Sequence, residues 1–232
     1  MALLYERAGK RANAKKLMEL AVRRTPDNLK TRLTAAQWAA EAGLVSMAKS
    51  NAEAALELDD SSLQAKLLVG LVARYAADYA AAAAVFQTAH VQAPSDFGAM
   101  NNLALSLIEL PDEDQRQRAL DYAKLNTRAY ADTKQPRGRE AAVTYAWILF
   151  RLGHQAEASR TMQAALRAGS VRGEAYYYAA QLFHDLGRPG IARRILQSSL
   201  NNKSAFPGRE KAEQLHQRLM RAQPAGEKKG KE

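Results

Sequence analysis

The chain has 232 residues, 47% hydrophobic and 25% charged, with no cysteine and a formal net charge of +10. That composition supports a sizeable buried core and excludes disorder throughout, disulfides, thiolate nucleophiles and cysteine zinc sites. No apolar run reaches the roughly 20 residues of a membrane helix, and the opening MALLYERAGK turns polar too soon for a secretory signal, so nothing here selects a compartment.

Alanine dominates the apolar set, and proline, glycine and β-branched residues are sparse within long stretches, which predicts helices throughout and no strand. The positive charge is uneven. Residues 1–34 carry nine Lys/Arg against three Asp/Glu and residues 203–232 eight against four, whereas residues 35–100 carry three against seven.

In chain order, the first predicted helix end is the glycine of RAGKRANA at Gly9, followed by a helix that TPDN stops at Pro26. The next turn is EAGLVSMA at Gly43, and the helix after it ends at LDDSS around Asp59. Ala77 holds the turn slot of the third hairpin, whose second helix stops at APSD around Pro94, and Pro111 holds the slot of the fourth. After the insertion DTKQPRGRE come the turns RLGHQAEA at Gly153 and DLGRPGIA at Gly187, with Pro189 in the first turn of the helix that follows. Glycine at these slots predicts C′ caps, since it enters the left-handed region without a Cβ clash. Residues 207–221, PGREKAEQLHQRLMR, predict a further amphipathic helix burying Ala212, Leu215 and Leu219, and residues 222–232 predict a disordered basic tail.

The interval is the main signal. Gly9 to Gly43 and Gly153 to Gly187 are each 34 residues, and Ala77 and Pro111 continue the count from Gly43. Five residues beyond these slots stand Ala14, Ala48, Ala82, Ala158 and Ala192. Four and seven residues further stand small or apolar residues, as in Ala52/Ala55, Phe86/Ala89, Met162/Ala165 and Leu196/Ser199. Those offsets share one helical face, where small side chains let two helices approach closely. A period near 34 is that of a helix-turn-helix repeat.

In LLVGLVARYAADYAAAAAVFQTAHVQAP (67–94), the residues Gly70, Ala82, Phe86, Ala89 and Pro94 fit a pattern that TYAWILFRLGHQAEASRTMQAAL (144–166) repeats with Ala146, Gly153, Ala158, Met162 and Ala165. This pattern resembles the tetratricopeptide repeat over residues 1 to about 206. The resemblance implies an all-α, right-handed superhelical solenoid of about six hairpins: 1–28 (incomplete), 29–62, 63–96, 97–138 with the insertion, 139–172 and 173–206, closed by the helix at 207–221. The insertion reads as a tolerated surface loop that alters curvature. Met1 falls inside a first helix, so the chain is expected to be cut from a longer, alanine-rich, bacterial-style parent, and Leu3 and Leu4 at the cut could drive self-association into a homo-oligomer.

The resemblance further implies that the first helices line a groove for a peptide or helix of a partner protein. Its ligand-facing positions fall on Gln37 in the second repeat, on Leu67, Leu71, Arg74 and Tyr75 in the third, and on Asn101 and Leu105 in the fourth. The fifth repeat contributes Trp147, Phe150 and Arg151, and the sixth Tyr177 and Gln181. Tyr75, Trp147, Phe150 and Tyr177 are the expected anchors, Phe150 being balanced between groove and packing. Tyr176 and Trp38 are expected to pack. Co-chaperone members clamp a terminal carboxylate with Lys, Asn and Arg; Asn102 matches one clamp position, but Leu67, Leu71, Glu140 and Thr144 do not match theirs.

No catalytic spacing is present: the histidines His90, His154, His184 and His216 form no HExxH, and there is no Walker loop, GxGxxG or GxSxG. Asp112, Glu113 and Asp114 read as helix capping rather than metal ligands. The sequence thus predicts a non-enzymatic interaction scaffold without metal or other cofactor. The alternative is nucleic-acid or other polyanion binding through Lys10, Arg11, Lys15, Lys16, Arg23 and Arg24, which lack interleaved aromatics for base stacking.

Overall fold

The computed structural model of the chain describes residues 11–201 and 204–222. The expected Gly9 cap, Leu3 and Leu4 with the self-association read from them, Lys10, and the basic tail from residue 223 lie outside the described residues. Within them are twelve helices and no strand: α1 (Arg11–Arg24), α2 (Leu29–Glu41), α3 (Val45–Leu58), α4 (Leu63–Tyr75), α5 (Tyr79–Gln92), α6 (Phe97–Leu107), α7 (Glu113–Ala129), α8 (Pro136–Arg151), α9 (Gln155–Ala168), α10 (Gly173–Asp185), α11 (Pro189–Asn201) and α12 (Arg209–Arg221). The chain divides into two compact units, Met1–Leu110 and Pro111–Glu232.

Helix starts follow local side-chain chemistry. Asn28, Ser62, Asp78, Asp96 and Asp112 each accept a hydrogen bond from a backbone N–H three residues on, satisfying a donor the helix itself leaves open. Asp112 therefore acts as an N-cap with Glu113 and Asp114 in the first turn of α7, where the helix dipole favours negative charge.

The turns inside the hairpins share one geometry. Gly43, Gly153 and Gly187 all have positive φ. At Gly43 the Leu44 N–H reaches Ala39 O at 2.8 Å and the Gly43 N–H reaches Ala40 O at 3.0 Å, a Schellman closure. The same pair of bonds recurs after α4, α8 and α10. Ala77 adopts this geometry too, at φ 57°, although its Cβ makes it costly. Pro111 does not: its ring fixes φ near −65°, and α6 instead winds down through Glu109 N–H to Ser106 O and Leu110 N–H to Leu107 O.

Within the units, the small residues of the repeat are the core, Ala119 standing three residues later than the 34-residue interval would place it. Ala48, Ala82, Ala119, Ala158 and Ala192 are fully buried, as are Ala36, Ala104, Ala146 and Ala180 on the first helices. In the first unit Leu33, Ala36, Ala52, Ala55, Ala65 and Leu68 make one cluster, and Ala14, Met18, Trp38, Ala48 and Val72 join another, so Trp38 is a packing residue. In the second unit α12 buries Ala212, Leu215 and Leu219 against α10 and α11.

The insertion is tied down at both ends. Gly138, in the first turn of α8, lies so close to the Asp132 carbonyl that any Cβ would collide with it. Arg139 donates to the carbonyls of Thr133, Lys134 and Ser170, joining the insertion to the turn between α9 and α10.

Replacing Ala77 with Gly removes the left-handed penalty, about 1–2 kcal/mol, against a glycine entropy cost of about 0.4–1 kcal/mol. The variant is expected to raise the urea midpoint, by a gain of about 0.5–1 kcal/mol, whereas Gly153→Ala, whose Cβ would enter open space, is expected to lower it through the backbone alone. Destabilisation by Ala77→Gly would contradict the shared turn geometry.

Candidate peptide-binding surfaces

In the first unit the expected ligand-facing residues lie along α2, α4 and α6. Gln37 is exposed and bonds Glu41 one turn on at 3.2 Å. Leu67 is half-buried over Gly98, and Leu71 and Tyr75 rest partly on the Trp38 cluster, with the Tyr75 hydroxyl 3.2 Å from Ala40 O. Asn101 is half-buried. Arg74 and Leu105 are each only 3% exposed. Arg74 spends its guanidinium on the Asn102 side-chain oxygen, and Asn102 in turn donates to Gly98 O. Arg74 and Leu105 are thus structural side chains in this unit, and the accessible set is Gln37, Leu67, Leu71, Tyr75 and Asn101.

In the second unit the corresponding residues come from α8 and α10. Trp147 is 6% exposed and stacks on Tyr178, centroids 4.8 Å apart with planes at 19°. Phe150 lies 5.9 Å from the same indole and keeps a half-exposed edge, and the Arg151 guanidinium sits 5.4 Å over the indole. Tyr177, 9% exposed, leans on Tyr178 and covers Gly208. Gln181 is half-buried, its amide held by both oxygens of Asp185 at 2.9 Å. The indole N–H of Trp147 is buried and meets no acceptor. Two of the four expected anchors, Trp147 and Tyr177, are therefore largely enclosed, while Phe150 and Tyr75 present more surface.

Tyr178 escaped the sequence reading, which weighed Tyr176 and Tyr177 alone. Its signal was available by analogy: Asn102 holds the same repeat position and meets Arg74 of the preceding first helix, as Tyr178 meets Trp147.

A carboxylate group borders this aromatic cluster. Glu140 on α8 is mostly buried and pairs with Arg172 at 3.0 Å, and Glu174 on α10 accepts from the Tyr178 hydroxyl at 2.8 Å. Burial pushes the Glu140 carboxyl above the ordinary carboxylate range; Arg172 pulls it back, and Glu174 pushes it up again.

No protein-family model matches the chain, and no curated protein matches it by sequence. Solved structures do. A thermophilic tetratricopeptide-repeat protein of Thermus thermophilus superposes with a TM-score of 0.67 at 17% identity, over 84% of this chain and 98% of the other. PilW, a type IV pilus biogenesis factor, superposes with a TM-score of 0.63 at 18% identity, over 94% of each chain. YrrB, a tetratricopeptide-repeat protein with an unusual peptide-binding site, gives a TM-score of 0.50 at 18% identity, over 88% of this chain and 96% of the other.

The chain has the tetratricopeptide-repeat fold. Asn102, the one residue matching the co-chaperone clamp of such repeats, is occupied by Arg74. Among the described residues no three His, Asp or Glu side chains gather to hold a metal ion, and no helix is long and apolar enough to cross a membrane. The basic side chains of α1 are solvent-facing, with Lys15 pairing with Glu19 at 3.6 Å.

A raised carboxyl pKa means that the fold holds this proton more firmly than the unfolded chain does, so Glu140 contributes stability below the ordinary carboxylate value and that contribution is lost as pH rises through the raised one. Arg172→Ala is expected to move the Glu140 titration higher in a carboxyl NMR titration, and to enlarge the loss of stability as pH rises above the ordinary carboxylate range. An unchanged or lower titration would show that Arg172 does not act on this carboxyl.

Proposed function

We propose that the chain is a non-enzymatic scaffold that binds an extended peptide or a helix of a partner protein on its first-helix surfaces, with α8 and α10 as the main contact. The carrying observation is the half-buried Phe150 with the Arg151 guanidinium close by, 5.4 Å over the Trp147 indole, an apolar and cationic surface left partly open on α8. Phe150 supplies apolar area worth about 1.5–3 kcal/mol if fully covered, before ordering costs. Similarity to YrrB, described by its peptide-binding site, supports the reading. The half-buried Leu67, Leu71 and Tyr75 of α4 offer a second apolar surface in the first unit.

A displayed library of random peptides selected on the full chain tests this. Enriched peptides are expected to lose at least about tenfold in affinity, or about 1.4 kcal/mol, for Phe150→Ala combined with Arg151→Glu, in protein whose circular dichroism is unchanged. No enrichment, or binding indifferent to both substitutions, would refute the proposal. Single-stranded nucleic acid at low salt serves as the control arm, since steeply salt-dependent binding there would favour polyanion recognition through the arginines and lysines of α1 instead.

A further inference from the structure

The second helices of the second unit carry a different surface. Between α9, the end of α10 and α11 lies an open cleft of about 280 Å³ whose floor is Leu166, Phe183, Ile191 and Ile195 and whose rim includes Arg167 and Arg188. Phe183 is buried, but Leu166, Ile191 and Ile195 are only half-buried, and both arginines are exposed. Among the described residues no carboxylate pairs with either arginine.

Around this cleft positive charge predominates. The carboxylates of residues 155–201 are engaged by first-helix or neighbouring groups: Glu157 by the Tyr145 hydroxyl at 3.0 Å, Glu174 by Tyr178, and Asp185 by Gln181. Helices α9 and α11 and the turn between α10 and α11 carry Arg160, Arg167, Arg188, Arg193 and Arg194 against Glu157 alone. An apolar floor with unpaired guanidiniums above it is complementary to a carboxylate-bearing, aliphatic ligand.

We propose that this cleft docks an acidic, amphipathic segment of a partner protein, one or two leucine-like side chains on the floor and flanking carboxylates on Arg167 and Arg188. The volume lies at or below the lower end of cofactor and drug-sized pockets, roughly 300–1,000 Å³, which fits side chains rather than a whole small-molecule cofactor. A nucleic-acid strand would satisfy the arginines but leave Leu166, Ile191 and Ile195 uncovered, and no aromatic ring stands exposed there to stack a base. Such a cleft makes the unit two-sided, able to hold one partner on α8 and α10 and another on α9 and α11.

The test uses the full chain and a fluorescein-labelled synthetic peptide of repeated Glu-Glu-Leu-Leu, read by fluorescence anisotropy. Comparison probes are the same peptide with Lys for Glu, the same peptide with Gly for Leu, and single-stranded DNA. Expected results are saturable binding of the Glu/Leu peptide alone, a loss of at least about tenfold in Arg167→Glu/Arg188→Glu, and a comparable loss in Ile195→Ser. Phe150→Ala/Arg151→Glu should leave this binding intact, which separates it from the first-helix reading. The proposal is overturned if the Glu/Leu peptide does not bind, if the Gly-substituted peptide or the DNA binds equally well, if the arginine reversal has no effect, or if the Phe150/Arg151 variant abolishes binding.

Discussion

Close approach of neighbouring helices through minimal side chains is the constraint from which the rest of this structure follows. At the eighth position of the repeats stand Ala36, Gly70, Ala104, Ala146 and Ala180, all buried, and the second helices bury Ala52, Phe86, Met162 and Leu196. The sizes compensate. The bulkiest of these knobs, Phe86, belongs to the hairpin whose eighth residue is Gly70, and a Cβ on Gly70 would come within 2.7 Å of its ring. Interiors this densely filled tolerate neither a void nor an added methylene cheaply.

Packing by such small residues leaves the larger side chains of the first helices to do other work. Some join consecutive hairpins, as Arg74 does with Asn102 and Trp147 with Tyr178. Others stay partly open to solvent, as Leu67, Leu71, Tyr75 and Phe150 do. A binding surface therefore emerges as a by-product of the architecture, shaped by whichever side chains the inter-hairpin contacts do not consume. The second unit adds a local charge excess, since α9, α11 and the turn before α11 carry five arginines against Glu157 alone, and that carboxylate is engaged by the Tyr145 hydroxyl.

Much of the architecture was legible because its signals are local and repeated. A glycine that must adopt positive φ, a capping oxygen three residues before its donor, and an alanine recurring every 34 residues each leave a mark in the sequence. Ala77 was legible only by counting, since alanine carries no turn signal of its own, and the count also put Pro111 in its turn two residues before α7, although its ring closes that turn by a different geometry. The site was less legible. Helical position fixes where a side chain starts but not whether a neighbour will cover it, so Leu105 and Trp147 share the repeat position of Gln37, Arg74 that of Phe150 and Tyr177 that of Leu67, and yet all four are enclosed. Gly138 and Arg139 show the same limit, for nothing in DTKQPRGRE announces that its backbone is pressed against Asp132 and pinned to Ser170.

The most direct measurement compares chemical denaturation of Ala48→Leu, Ala82→Leu and Ala158→Leu with that of the exposed controls Ala84→Leu and Ala164→Leu. If close helix approach holds the fold together, the three buried substitutions each cost about 1–3 kcal/mol while the controls stay within about 0.5 kcal/mol of the parent. Equal stability of buried and exposed variants would contradict the account.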